Sequence, residues 1–275
     1  MLRVGRIDYA NCTPLFMQLE TELDSIDVEI VHGVPAELNA LLAQGEIDLC
    51  ISSSIEFCRH ATEYLILPDN CIGSFGAVQS VLLLSNRPVE QLTGSPLLVT
   101  SESATSVVLL QILLAEHWGL SGCTVERSFL PVSEALQQAP GLLLIGDKAL
   151  QAAAAGVSPY CYDLGEEWLR LTGLPFVYAL WLLNRRSSRG KEVALRRFYQ
   201  RLVQARDRIA PDAEALSVRA PESGWLGAAA LADYWRTAIT YTLDDQHLAG
   251  LSCYYRLAAK HGLIPKNPAP EFLQL

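Results

Sequence analysis

Apolar segments of strand-like and helix-like length alternate over the first fifty residues of the chain. Short apolar runs predict strands at residues 2–7, 28–31 and 47–51. Helical spacing of apolar residues predicts helices at residues 14–23 and 35–44. Strands that alternate with helices are typical of parallel pairing with right-handed crossovers. Because ligands bind beyond the carboxyl ends of such strands, the residues that follow each strand are the candidates for chemistry.

A second alternation and then a helical region occupy the rest of the chain. The pattern predicts strands at residues 97–99, 124–129 and 142–145, and helices at residues 105–117, 132–138, 149–155, 190–209, 225–241 and 247–261. Two longer apolar runs, residues 78–85 and 176–183, bracket the second alternation and are long enough to cross between lobes. We therefore predict a two-lobed α/β fold with a ligand cleft between the lobes. One lobe is expected to contain residues 1–82 and 180–275, and the other residues 83–179.

Composition excludes several classes of partner. Lys and Arg total 21 against 30 Asp and Glu, and the net charge of −9 disfavours nucleic acid. Half of the 275 residues are hydrophobic and 19% are charged, which is enough apolar surface for a sizeable core. No apolar run reaches the roughly 18 residues of a membrane-spanning helix, and no apolar segment of a signal peptide follows the first basic residues. We therefore expect a cytoplasmic protein without membrane contact.

The spacing of cysteine and histidine disfavours a metal site or a disulfide framework. The seven cysteines are scattered without Cys-x-x-Cys spacing, and the five histidines are dispersed. Motifs for a nucleophilic serine, a phosphate-binding loop and a dinucleotide fold are absent from the sequence. We expect no metal site, and we expect His32 and His60 to lie at the surface or in helix caps.

Residues 100–106 are the most informative segment of the chain. Five hydroxyl side chains lie within these seven residues, between a predicted strand and a predicted helix, namely Thr100, Ser101, Ser103, Thr105 and Ser106. The start of a helix leaves roughly four backbone N–H groups free and carries about half a positive charge. Together these groups predict a site for a carboxylate or phosphate without a basic side chain. The alternative is that Ser103 or Thr105 only caps the helix, and Glu102 is expected to point away from a ligand.

Polar residues after the other strands supply further candidates. Ser52 and Ser53 follow the third strand and repeat the hydroxyl pattern on the opposite lobe, which predicts a ligand with two separated acidic groups. Asn11 follows the first strand and either orients a ligand or forms an Asx-turn. Arg6 either meets ligand charge or forms an internal salt bridge. Asp147 either binds ligand or caps the helix that follows it.

The opening residues 4–16, Val-Gly-Arg-Ile-Asp-Tyr-Ala-Asn-Cys-Thr-Pro-Leu-Phe, are similar to a Gly-Arg-Ile-Ser-Tyr-x-Asn-x-x-Pro-Leu pattern. That pattern begins the chorismate dehydratases of the futalosine route to menaquinone, which this chain resembles over nearly its full length. The other segments that carry the resemblance are residues 33–39, 45–48, 53–56, 78–83, 100–106, 144–150, 163–168, 172–181 and 247–251. The resemblance implies a periplasmic-binding-protein-like fold of type II. It also implies an enzyme that removes water from chorismate without a cofactor, giving 3-[(1-carboxyvinyl)oxy]benzoate.

The resemblance further implies roles for individual residues. Asn11 is expected to orient the departing hydroxyl or the ring. One carboxylate is assigned to Ser101, Ser103, Thr105 and Ser106, and the other to Ser52, Ser53 or Arg6. The other residues expected to bind substrate are Tyr9, Ser80, Ala104, Gly146 and Asp147.

The proton acceptor is left open between the substrate's own enolpyruvyl carboxylate, Asp147 and Asp8. Asp8 stands where the family usually has Ser, and a carboxylate beside a dianion repels it. We therefore expect Asp8 to turn away from the ligand or to pair with Arg6, with a role as base as the alternative.

Two other functions are compatible with the expected fold. A solute-binding or sensor protein binds a small anion without turnover, and the lack of an export signal counts against it. The sister enzyme of the same route, 1,4-dihydroxy-6-naphthoate synthase, acts on a cyclic futalosine derivative. The Tyr9-x-Asn11 opening favours the dehydratase, and the sister enzyme's catalytic histidine has no clear counterpart here. The expected partner is one small dianionic molecule, chorismate, and a homodimer is left open.

Overall fold

The computed structural model describes residues 1–20, 27–100 and 103–274, and in these residues the chain forms two β-sheets flanked by helices. The strands are β1 (Leu2–Arg6), β2 (Val28–His32), β3 (Leu49–Ser53), β4 (Tyr64–Ser74), β5 (Val81–Ser85), β6 (Pro96–Thr100), β7 (Thr124–Ser128), β8 (Gly141–Ile145), β9 (Tyr160–Asp163), β10 (Phe176–Asn184) and β11 (Thr240–Thr242). The first sheet has the order β11-β4-β10-β3-β1-β2, and the second has the order β7-β6-β8-β5-β9.

Helices connect the strands of both sheets. They are α1 (Thr13–Glu20), α2 (Pro35–Gln44), α3 (Ser54–Arg59), α4 (Ala104–Ile112), α5 (Val132–Gln138), α6 (Gly146–Ala155), α7 (Leu164–Thr172), α8 (Glu192–Arg219), α9 (Ser223–Leu226), α10 (Ala228–Asp233) and α11 (Asp245–Lys260). A π-helical turn, Leu113–His117, continues α4, and a second one, Tyr234–Ala238, continues α10. None of the described helices combines the length and the apolar character needed to span a membrane.

Strand pairing confirms the predicted parallel arrangement inside each sheet. β1 pairs in parallel with β2 and β3, and β6 pairs in parallel with β7 and β8. β10 instead lies antiparallel to β3 and β4, and β5 lies antiparallel to β8 and β9. β5 and β10, the first strands after the two passages between the sheets, are thus antiparallel to the strands beside them.

The two passages between the sheets lie just before the strands that were predicted to cross. β4 belongs to the first sheet and β5 to the second, so the first passage is residues 75–80. β9 belongs to the second sheet and β10 to the first, so the second passage contains α7. The expected lobe limits, after residues 82 and 179, fall within β5 and β10, and those limits stay a prediction.

Several elements differ from the sequence-based expectation, each for a local reason. β4 was not predicted because Pro68, Asp69 and Asn70 are turn residues, and the strand contains them at an irregular register against β10. α8 was predicted to end at residue 209 but continues through Pro211 to Arg219, where its buried face still packs. The helix predicted at residues 225–241 is divided, because Gly227 adopts a φ of 85° between α9 and α10.

An aromatic cluster joins the second passage to the C-terminal helix. Trp168 of α7, Phe176 of β10 and Tyr254 of α11 are fully buried, and their rings meet edge to face at centroid distances of 5.0 to 6.3 Å. Such pairs stabilise by about 0.5–1.5 kcal/mol beyond the apolar area that they bury. The cluster therefore gives the strand that enters the first sheet a rigid support.

Candidate active site

A cleft of about 620 Å³, here called the inner cleft, lies where the carboxyl ends of strands from both sheets meet. Residues at the carboxyl end of β3 and residues that follow β1, β6 and β8 contribute to it, as expected for ligand sites in such sheets. Its polar lining consists of Tyr9, Asn11, Cys12, Ser53, Ser80, Ser103, Ser106 and Tyr178. Apolar side chains such as Ile7, Ile72 and Ile145 form the rest of the wall. The inner cleft is thus an apolar space with hydroxyl and amide groups at selected positions.

Several helices begin at the inner cleft, which gives it positive potential without basic residues. Lining residues lie at or just before the first turns of α1, α2, α3, α4 and α6, namely Cys12, Pro35, Ser53, Ser103 and Gly146. A helix start carries about half a positive charge on its free N–H groups. Among the described residues, no Lys or Arg side chain lines this cleft. The arrangement suits an anion despite the net charge of −9.

Asn11 lies in the turn between β1 and α1, and that turn is held by aromatic side chains from the C-terminal part of the chain. Tyr241 donates its Oη hydrogen to the Asn11 backbone carbonyl at 2.9 Å, and Trp235 Nε1 donates to the Ala10 carbonyl at 2.6 Å. The side-chain Oδ1 of Asn11 is buried and has no hydrogen-bond partner among the described residues. A buried acceptor without a partner costs about 1–3 kcal/mol, and a ligand that donates a hydrogen bond removes that cost.

Ser103 combines the two roles that the sequence left as alternatives. It is the N-cap of α4, since its Oγ accepts the Ser106 N–H at 3.1 Å. Its hydroxyl also donates to Ser106 Oγ at 3.0 Å, and both side chains line the inner cleft. Capping therefore orients the pair of hydroxyls toward the space where a ligand binds.

The other residues of the 100–106 segment are placed differently. Thr105 is buried outside the lining, and its Oγ1 accepts the Ile55 N–H at 3.3 Å. Ala104 lies in a second, outer cavity rather than in the inner cleft. Thr100 ends β6, while Ser101 and Glu102 lie outside the described residues.

Ser52 and Ser53 point to opposite faces because they are neighbours at the end of a strand. Ser53 lines the inner cleft and precedes α3. Ser52 is buried and donates its hydroxyl hydrogen to Asn39 Oδ1 at 2.5 Å. Of the two serines expected to hold a carboxylate, the structure brings only Ser53 to the cleft.

Ser80, the last residue of the first passage, contacts Gly146 at the start of α6. The Gly146 N–H donates to the Ser80 carbonyl at 2.7 Å, and Tyr234 Oη donates to Ser80 Oγ at 2.8 Å. Burial raises the pKa of Tyr234 well above its usual value, so the phenol stays a donor to Ser80 Oγ, which itself donates to the Val78 carbonyl at 3.4 Å. Gly146 has a φ of 59°, and the Tyr9 ring lies 3.3 Å from the position that a Cβ would occupy. Glycine is thus required there by the backbone conformation.

The charged candidates lie outside the lining. Arg6 donates from Nε to Asp8 Oδ1 at 2.8 Å, pairs also with Glu20 and lies over the Phe16 ring. Of the two roles that the sequence left open for Arg6, the structure shows the internal salt bridge. Asp8 pairs with Arg6, which is one of the two arrangements expected for it. Asp147 does not cap α6, whose N-cap is Ile145. Its Oδ1 instead accepts the Ala10 N–H at 2.9 Å.

Two polar lining residues were missed by sequence reasoning. Cys12 is fully buried, and burial raises the pKa of its thiol to about 12, so it stays protonated at neutral pH. Tyr178 lies in β10, where its hydroxyl is 3.5 Å from Ser74 Oγ and burial raises its pKa well above the usual value. Both residues occur in segments that carried the family resemblance, but the face that Tyr178 occupies depends on the register of β10, and Cys12 lies in the turn before α1. In the described residues no group of three or more His, Cys, Asp and Glu is placed to hold a metal ion.

Comparison with known proteins places the chain in a family. A family model described as menaquinone biosynthesis matches residues 2–260. This chain belongs to that family. A chorismate dehydratase from Thermus thermophilus is 37% identical over 199 residues, which cover 66% of this chain and 69% of the relative. A chorismate dehydratase from Campylobacter jejuni is 31% identical over 179 residues, which cover 64% of each chain. The resemblance stated from the motifs is thus confirmed.

Solved structures confirm the fold of this menaquinone biosynthesis family member. The Candida albicans CA3427 gene product, described as having the generic periplasmic binding protein fold, matches with a TM-score of 0.70. The match covers 100% of this chain and 98% of that chain at 12% sequence identity. At that identity the likeness concerns architecture alone, and it supports the two-lobed α/β class predicted from the sequence.

Proposed function

We propose that this protein is a chorismate dehydratase, a carbon–oxygen lyase that converts chorismate to 3-[(1-carboxyvinyl)oxy]benzoate and water without a cofactor. Family membership and the names of both relatives support this function. The observation that carries it is the buried, unpartnered Oδ1 of Asn11 in a cleft formed by hydroxyl groups and helix starts. Cytoplasmic location and oligomeric state stay predictions.

The driving force of the proposed reaction comes from the substrate rather than from the protein. A ring C–H bond and the ring C–OH bond break, a double bond forms between those carbons, and the ring becomes aromatic. Because aromatisation drives the elimination, the protein has to fix the geometry, exclude water and stabilise charge. A cleft with helix starts and hydroxyl groups at fixed positions and with apolar walls suits those functions.

The lining suggests how a dianion is held. Ser103 and Ser106, with the backbone N–H groups that begin α4, suit one carboxylate. Ser53, which also lines the cleft, offers a hydroxyl donor for the second carboxylate, and Ser80 is a further hydroxyl group of the lining. Asn11 Oδ1 accepts a hydrogen bond from the departing ring hydroxyl and orients it. In this assignment every polar contact with the substrate is uncharged on the protein side.

The substrate's enolpyruvyl carboxylate is the proton acceptor that this cleft favours. Among the described residues, no carboxylate or imidazole lines it. Asp8 is paired with Arg6 and His32, and Asp147 accepts the Ala10 N–H. Both protein alternatives that the sequence left open are thus engaged in contacts outside the lining.

Purified protein incubated with chorismate tests the proposal directly. We expect loss of chorismate and formation of the enolpyruvyl-oxybenzoate, followed by liquid chromatography and mass spectrometry. Asn11→Ala should lower kcat by about 10²-fold or more while its thermal unfolding stays close to wild type, since it removes one group that acts on the reacting atoms. Chorismate bound without turnover would support the solute-binding alternative. Turnover of a cyclic futalosine derivative, with none of chorismate, would support the sister enzyme.

A further inference from the structure

A second and larger cavity, here called the outer cavity, adjoins the inner cleft. It has a volume of about 1100 Å³ and shares Ser53 and Ser103 with the inner cleft. Residues from α2 and α3 line one side, and residues from β6, β7 and α4 line the other. The two hydroxyl N-caps therefore stand at the boundary between the two spaces.

The outer cavity differs from the inner cleft in its charge. Its charged lining, among the described residues, consists of Arg59, Arg127 and Glu56, which sum to one positive charge. Arg59 Nη1 donates to Glu56 Oε1 at 2.6 Å, so that pair is close to neutral. Arg127 is exposed and forms no side-chain hydrogen bond or ion pair with any described residue. The excess positive charge of the outer cavity is therefore located at Arg127.

The strand register places Arg127 beside the segment that leads to the inner cleft. Arg127 is the penultimate residue of β7 and pairs with Val99, the penultimate residue of β6. Ser103, one of the two residues that both cavities share, follows the end of β6 by three residues in the chain. A cation on β7 thus stands at the carboxyl edge of the second sheet, where ligands approach this class of fold.

We infer that the outer cavity is the entrance through which a small dicarboxylate reaches the inner cleft, and that Arg127 attracts it there. The inference rests on the proposed function, since it takes the substrate to be a dianion. A protein with a net charge of −9 repels such a molecule at long range. A positive group at the entrance lowers that barrier and raises the local substrate concentration, while the uncharged inner cleft performs the elimination.

Steady-state kinetics with chorismate at several salt concentrations tests this role. Arg127→Gln should raise KM about threefold to tenfold with kcat unchanged, because an entrance residue does not touch the reacting atoms. The decrease of kcat/KM with added salt should become shallower in Arg127→Gln than in wild type. Arg127→Glu should raise KM further, and Arg127→Lys, which keeps the charge, should stay near wild type.

Arg219→Gln is the matched control, because it removes one positive charge from another exposed arginine that lines neither cavity. If Arg127→Gln and Arg219→Gln change KM and the salt dependence equally, the entrance role is wrong. A fall in kcat with unchanged KM would also overturn it. Wild-type turnover is measured first, and its absence would reject the proposed function itself. If wild type is active and the Arg127 substitutions leave KM and its salt dependence unchanged, only the entrance role of Arg127 is rejected.

Discussion

At the scale of single residues, two features define the candidate site. One is which polar side-chain atom lacks a hydrogen-bond partner, and the other is which of two adjacent residues faces the cleft. Asn11 presents a buried Oδ1 without a partner among the described residues, whereas Ser52 satisfies its hydroxyl on Asn39. Ser103 is both a helix cap and a lining residue. A residue type alone therefore does not identify a ligand contact, because the same hydroxyl is equally able to close a local hydrogen bond.

The adjacent serines after β3 provide a matched pair of substitutions. Ser53→Ala should raise the KM for chorismate about tenfold, because a hydrogen bond to a charged group contributes about 1.5–3 kcal/mol. Ser52→Ala should leave KM unchanged and lower stability slightly, since its hydroxyl bonds Asn39 away from the cleft. Steady-state kinetics and urea unfolding separate the two effects. An equal rise of KM in both variants would contradict the orientation described for this strand end.

At the scale of elements, aromatic residues of α11 fix the starts of the helices that face the cleft. Tyr254 Oη donates to the Thr105 carbonyl at 3.0 Å, and Tyr255 Oη donates to the Ser54 carbonyl at 2.6 Å. These bonds connect both α3, which follows a strand of the first sheet, and α4, which follows a strand of the second sheet, to α11. The N-caps Ser103 and Ser53 thereby keep a set separation, which a ligand with two acidic groups requires.

The start of α7 packs so closely against the first passage that only glycine fits there. A Cβ on Gly165 would lie 2.4 Å from the Gly76 carbonyl oxygen and 2.6 Å from Tyr178 Oη. Gly165→Ala should therefore lower the free energy of unfolding by about 1–3 kcal/mol and displace Tyr178, raising KM as well. Urea denaturation measures the first effect, and kinetics with chorismate measure the second.

Gly224→Ala is the control for that substitution. Gly224 lies in α9, and beyond its chain neighbours and its own helix backbone no described atom comes within 4 Å of its Cβ position, so stability should change by less than about 0.5 kcal/mol. Equal stability of the two alanine variants would show that the contact between α7 and residues 75–80 is looser than described.

At the scale of the whole molecule, acidic side chains connect the two sheets around the cleft. Asp163 accepts N–H groups from Val78, Gln79, Gly165 and Glu166 at 2.6 to 3.2 Å, which joins the first passage to α7. Burial raises the pKa of Asp163, and these four bonds oppose that rise. The net charge of −9 thus includes carboxylates that hold the backbone rather than repel a ligand.

Kinetics can decide whether Asp147 holds the backbone or acts as the general base. Because its Oδ1 accepts the Ala10 N–H and so joins the start of α6 to the turn after β1, Asp147→Asn keeps an acceptor and should retain kcat within about fivefold. Asp147→Ala removes the acceptor, leaves the Ala10 N–H without it, and should lower kcat and stability together. If Asp147 were the general base, both variants would lose about 10²–10⁴-fold in kcat. Steady-state kinetics and thermal unfolding distinguish these outcomes.

Local sequence patterns were sufficient to predict many of the elements and the family. Local hydrophobic spacing predicted α2 and α5 with the bounds that the structure has, and it predicted the parallel core of each sheet. The motifs identified the family, and the hydroxyl-rich start of α4 identified Ser103 and Ser106. These features depend on residues near one another in the chain, so periodicity and capping preferences are sufficient to find them.

Which candidate residues come together depends on the tertiary structure. Arg6 pairs with Asp8 and Glu20, Thr105 turns toward α3, and Tyr178 enters the cleft from a strand more than 160 residues away from Asn11. Each outcome depends on strand register and on the approach of the two sheets, and shifting a register by one residue exchanges the faces of every side chain. Local spacing does not contain that information, because it is set by contacts between distant segments of the folded chain.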